Sequence, residues 1–134
     1  LTFTVKVKAT TVYLDGIPLK VGILTTSPEK TIGYQHQEVE PKPGHGLLFD
    51  FSTDGEDGVH SFHMKNVSFP LELLAFDSAG LFLGSTLMYP QEKGTPTKHH
   101  RTPSGTMFAI EVNPTDGFGI WLEPGVSVLT GFPS

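Results

Sequence analysis

The chain has 134 residues, with 9 Lys and Arg against 14 Asp and Glu, a net charge of -5 at neutral pH and no cysteine. That length suits one domain with a real core, so residues 1–134 are expected to fold as a unit. The charge balance argues against nucleic acid or anionic membrane as partner, the missing cysteines exclude disulfides and thiolate metal sites, and no apolar run is long enough to span a membrane.

With 15 Gly, 11 Pro and 37% hydrophobic residues, the composition predicts many turns between short strands, hence an all-β fold. In chain order, Leu1 to Lys8 alternates as a half-exposed strand, Phe3, Val5 and Val7 facing inward. Thr11 to Leu14 and Ile17 to Leu24 read as a hairpin around Asp15-Gly16, a strong two-residue turn signal. Ser27-Pro28-Glu29 reads as a helix N-cap followed by proline at the first helical position, with Gly33 limiting the helix to a turn or two.

Gln35 to His45 is polar and holds Pro41, Pro43 and Gly44, so it is expected to be a loop. Leu47, Phe49 and Phe51 should share one strand face, with Leu48 and Asp50 opposite. Thr53 to Gly58 is an acidic turn whose spacing fails the calcium-loop pattern.

The richest stretch runs from His60 to Asp77. Phe62 and Met64 should face one way, His63 and Lys65 the other; after a bend at Asn66 to Ser68, Pro70 suits the start of a second strand. There Leu71, Leu73 and Ala75 take one face and Glu72, Leu74 and Phe76 the other, which predicts an inner strand covered on both sides. Asp77 to Gly80 then turns into an antiparallel partner, Leu81 to Met88. Tyr89 to Gly105 is a long connection that concentrates Lys93, Lys98, His99, His100 and Arg101. Such a loop is either a solvated flap or a cover over an anionic ligand, with Arg101 as the grip. Thr106 to Val112 alternates as another strand, Asn113-Pro114 starts a short helical turn, and Val126 to Leu129 is the last strand.

Phe62-His63-Met64-Lys65-Asn66, followed by Pro70-Leu71-Glu72 and Phe76-Asp77, resembles the core of the family catalogued as domain of unknown function 192. Thr25 to Gly33, Gly46 to Phe51, Met107 to Val112, Gly117 and Pro124-Gly125 extend the resemblance over most of residues 20 to 128. The departures are His63 where the family has tryptophan, Tyr34-Gln35 in place of leucine-methionine, and Val126 in place of aspartate. The resemblance implies a small β-sandwich of jelly-roll type with no established activity. The expected architecture is therefore a two-sheet antiparallel β-sandwich, jelly-roll-like, with one or two short helical turns.

The chemistry-bearing candidates are His63, Lys65, Asn66, Glu72 and Arg101, because charged and amide groups inside an apolar run either point outward or form a site. There is no nucleophile elbow, phosphate loop or zinc-protease motif. His60 and His63, three apart on a strand, should face opposite ways and not share an ion; His99 and His100 lack carboxylate company, and whether His36 and His45 converge with His63 is open. No metal and no cofactor is expected. The favoured reading is a non-enzymatic binding or accessory module for a small ligand or protein partner. Its rivals are a hydrolase-like or lyase-like enzyme in which Lys65 and Glu72 converge, and an assembly protein with an apolar patch at Phe118, Ile120 and Trp121. The state is expected to be a monomer or small homo-oligomer. The sequence starts at Leu1 without Met, so export to the periplasm would follow if a signal peptide had been removed.

Overall fold

In the computed structural model, which describes residues 8–53 and 58–132, Asp15 (φ 49°) and Gly16 (φ 83°) sit in the left-handed region that a tight hairpin turn requires. The turn sets β1 (Lys8–Leu14) antiparallel to β2 (Ile17–Leu24), with Leu14 opposite Ile17. The expected strand over Leu1 to Lys8 lies outside the described residues except for its last member, as does most of the acidic turn after Thr53.

Helix α1 (Ser27–Ile32) follows, and here the N-cap differs from expectation by one residue. Thr26, not Ser27, is the cap: its hydroxyl accepts the Glu29 N–H at 3.3 Å, while the Glu29 carboxylate accepts the N–H groups of Thr25 and Thr26, each at 3.0 Å. Thr26 with Glu29 three residues on makes a reciprocal capping box, which Ser27 could not form with Lys30 at the matching position.

Strand β3 (His45–Asp50) then pairs parallel with β2, a correction to the expected all-antiparallel arrangement. The parallel pairing needs a crossover, and α1 with the following loop supplies it. The remaining strands are β4 (Ser61–Phe62), β5 (Leu71–Phe76), β6 (Phe82–Met88), β7 (His100–Arg101), β8 (Phe108–Val112) and β9 (Leu129–Thr130). A 3-10 helix (Pro114–Asp116) is capped by Asn113, as its sequence predicts, and α2 (Phe118–Trp121) adds a third helical turn beyond the one or two expected. The 89–105 connection is not structureless, because its β7 segment pairs with β4, placing Ser61 opposite Arg101.

The protein is all-β, as expected, but the strands do not divide into two comparable sheets. Among the described residues, seven run in one sheet in the order β6-β5-β8-β3-β2-β1-β9, and only β4 and β7 form a second. The large sheet curls into a half-barrel whose edges meet at one end: Leu81 bridges Val128, and Phe82 N–H donates to the Ser127 carbonyl at 2.8 Å.

Alternation then sorts the side chains. Leu14, Leu19, Val21, Leu48, Leu74, Phe76, Ile110 and Val112 fill the inside of the curl. Phe49, Leu71, Leu73 and Ala109 face outward, where Phe62, Met64, Val67 and Phe69 cover them. Strand β5, between β6 and β8, is the inner strand its two apolar faces predict, with Leu71 and Leu73 on the outer face and Leu74 and Phe76 on the inner. Among the described residues, no helix is long and apolar enough to cross a membrane.

Candidate functional site

On the outer face, the cover formed by residues 60–69 does not seal against α1. Between them lies a cavity of about 340 Å³, lined by Lys30, Gly33, Tyr34, Phe49, Phe51, His60, Phe62, His63 and Glu111, among others. Four of its lining residues, Tyr34, Phe49, Phe51 and Phe62, are aromatic. Phe49 and Phe62 meet edge to face with centroids 5.0 Å apart, and Phe51 stacks on Phe49 at 6.5 Å.

Glu111 is the polar centre of this cavity. On β8 it stands opposite Leu47 of β3 and Leu73 of β5, so apolar side chains flank it on both sides. The residue is only 4% exposed, and since no fully buried side-chain polar atom among the described residues lacks a partner, its carboxyl group opens on the cavity. Burial alone pushes it up to about 8, so the acid is largely protonated at neutral pH in the unliganded protein. Gly33 lies beside it: a Cβ there would stand 3.6 Å from Oε1 and 3.3 Å from the Phe49 ring. The Tyr34 hydroxyl is pushed well above its usual range, first by burial and then by the Glu111 charge.

The cations on the wall are occupied. Lys30 Nζ donates to the Asp50 carbonyl at 2.9 Å and lies 4.7 Å from the centre of the Phe51 ring. His60 stacks on Phe51, 3.6 Å between ring centres, and its Nε2 is 3.1 Å from the Thr106 carbonyl, a contact that requires Nε2–H. His63 accepts the Lys65 backbone N–H on Nδ1 at 3.1 Å. Its pKa is lowered by burial first, then by His99 and Lys65, so the ring is neutral at neutral pH. His60 and His63 thus border one cavity despite their odd spacing, because β4 ends at Phe62 and strict alternation ends with it.

The other candidates lie elsewhere. Lys65 and Asn66 are exposed and border a second, wider cavity of about 860 Å³ with His36 and residues of the 89–105 connection. Asn66 holds φ 63°, its Nδ2 donates to Gln35 Oε1 at 3.1 Å, and its carbonyl accepts the His36 N–H at 2.9 Å, so it organises the bend. Glu72 points to the inner face, where Oε1 accepts the Gly119 N–H of α2 at 3.0 Å. Lys65 and Glu72 therefore do not converge, and no ion pair joins Lys65 to Glu72 or Asp77 among the described residues. Arg101 is exposed on β7, bordering neither cavity. The structure brings only His63 of these five to the Glu111 cavity.

Of the proposed apolar patch, Phe118 is buried, Trp121 is 38% exposed and Ile120 is 91% exposed. No group of three or more His, Asp or Glu residues is arranged to hold a metal ion among the described residues.

The sequence carried one overlooked signal for this site. In Phe108-Ala109-Ile110-Glu111-Val112 an acid interrupts a run that is apolar on both strand faces. The same desolvation argument that singles out Glu72 applies to Glu111 with greater force.

Residues 10–125 match the family described as uncharacterised ACR, domain of unknown function 192. No curated protein matches the chain. Two crystal structures share the fold: a putative transcription regulator from Sinorhizobium meliloti 1021 (TM-score 0.79, 22% identity, 96% of this chain and 97% of that one) and a protein of unknown function from Novosphingobium aromaticivorans DSM 12444 (TM-score 0.75, 16% identity, 97% and 91%).

Proposed function

We propose that this chain, which belongs to the uncharacterised domain-of-unknown-function family 192, is a single-domain, non-enzymatic binding module that holds a small ligand in the Glu111 cavity. One observation carries the reading: Glu111, 4% exposed and flanked on its strand by Leu47 and Leu73, borders a cavity that Tyr34, Phe49, Phe51 and Phe62 help to line. An acid desolvated enough to hold its proton near neutral pH, at the wall of a cleft, is the kind of group that clusters at functional sites. The cavity volume falls at the small end of ligand pockets, which suits a metabolite-sized molecule. The catalytic alternative has less support, since Lys65 and Glu72 lie on different faces of the sheet. In the same reading β4, β7 and their flanking loops act as the second layer of a sandwich, and the packing of Phe62, Met64 and Phe69 on the outer face of the large sheet supports it.

The test is a chemically mixed fragment library followed by amide NMR spectra. Binding fragments should move the amides of Gly33, Tyr34, Phe51, His63 and Glu111. The reading fails if no fragment moves them, or if all hits map to the Lys65–Asn66 cavity instead.

A further inference from the structure

The chemistry of the cavity narrows the ligand, provided the Glu111 cavity is a binding site at all. We propose that it takes a small organic cation, a primary amine or alkylammonium group, held by the Glu111 carboxylate between the faces of Phe49, Phe62 and Tyr34.

Three observations point to this class. First, Glu111 lacks a counter-charge: the nearby Lys30 ammonium is directed to the Asp50 carbonyl, and burial is the sole influence on the acid. A carboxylate in apolar surroundings is satisfied by a cation that brings its own hydrogen-bond donors. Second, Tyr34, Phe49, Phe51 and Phe62 line the same cavity, and aromatic rings attract ammonium groups. The protein already uses this attraction on its own wall, where Lys30 Nζ sits over Phe51. Third, an anionic ligand would have to compete with backbone carbonyls for the cations on the wall, since Lys30 and His60 already donate to those of Asp50 and Thr106.

Binding an ammonium group requires Glu111 to release its proton to solvent, so affinity should rise with pH. The titratable groups that share the cavity with Glu111 are Lys30 on α1, Tyr34 after it, and His60 and His63 on the cover. Tyr34, raised first by burial and then by the Glu111 charge, keeps its proton through pH 9. His63, lowered by burial first, is neutral over this range and adds no charge change.

The experiment titrates butylammonium, butanol and butanoate, which share a chain and differ in head-group charge, while the Gly33, Tyr34 and Glu111 amides are followed by NMR. Butylammonium should bind best, and its affinity should increase roughly 90-fold from pH 6 to pH 9 as the ionised fraction of Glu111 grows from about 1% to about 90%. Glu111→Gln should weaken it by at least about 30-fold, the loss expected when one partner of a buried charge pair is removed. If that variant does not fold, the pH series on the wild-type protein carries the test alone.

The cation assignment is overturned if butanoate or butanol moves those amides as effectively as butylammonium, or if affinity is flat between pH 6 and pH 9. In either case the cavity stands as a binding site of another chemistry. Should none of the three probes bind while other fragments occupy the cavity, the assignment also falls and the binding reading survives. An absence of any binder at these amides defeats both.

Discussion

Glu111→Gln should make the unliganded protein more stable, by an amount that depends on pH in a fixed way. In the folded chain the carboxyl is pushed up to about 8, against 4.5 for an unperturbed glutamate. Between those values the folded state binds a proton that the unfolded state has already released. Stability therefore falls as pH rises from about 4.5 to about 8 and is flat on either side. Each unit of pH in that window costs about 1.4 kcal/mol, so the whole interval amounts to something on the order of 5 kcal/mol, a large share of the stability of a chain this size. Glutamine has nearly the same shape and cannot ionise, so it removes this dependence. His63 and His100 have lowered pKa values and contribute with the opposite sign, gaining stability as pH rises through 6.5, but they do so equally in both proteins. Urea denaturation of wild type and variant at pH 5, 6, 7, 8 and 9 measures the difference directly. The two should be close at pH 5 and separate steadily, reaching about 4 kcal/mol in favour of the variant near pH 7.5. Parallel curves, or a variant that loses ground as pH rises, would show that Glu111 is solvated or paired, and the account of the cavity would fall with it.

Other outcomes follow from the same geometry. Glu72→Ala should cost about 1.5–3 kcal/mol by removing a charge-assisted acceptor from the Gly119 N–H, and the loosened α2 should shift Trp121 fluorescence; cavity binding should stay unchanged because Glu72 is on the inner face. Gly46→Ala would bring a Cβ to 2.5 Å from the Glu111 carbonyl and 3.1 Å from Val112 Cγ1, so thermal melts should show a loss of about 1–3 kcal/mol or more from overpacking. Asn66→Val should lose about 1–3 kcal/mol at φ 63° while Asn66→Gly retains most of the stability, a contrast read from paired denaturation curves. Lys65→Ala and Arg101→Ala, both at exposed positions, should stay within about 0.5 kcal/mol of wild type in the same assay.

Much of the fold is legible locally. Asp15-Gly16 announces its hairpin because few residues tolerate two successive positive φ values, and the β5–β6 hairpin follows from alternation flanking Asp77 to Gly80. The apolar pattern of Leu71 to Phe76 is enough to say that β5 is covered on both sides. These features depend on residues close in the chain, where backbone geometry leaves few choices.

The site is different, because its members come from distant segments. Glu111 is desolvated by Leu47 and Leu73, and its cavity is bordered by Gly33 and Tyr34, so its protonation depends on pairing that no local pattern specifies. Lys65 and Glu72 read as one cluster seven residues apart, yet the bend at Asn66 resets the alternation and sends Glu72 to the opposite face. The parallel β2–β3 pair and the seam between Leu81 and Val128 likewise rest on contacts across the sheet. Sequence by itself determined most of the strands, though not β7, along with their turns and which side chains alternate, since each is set by the conformational limits of a few neighbouring residues. Tertiary structure alone decided which faces oppose one another, and with that which acid lost its water, because desolvation is a property of the assembled surroundings and not of the residue.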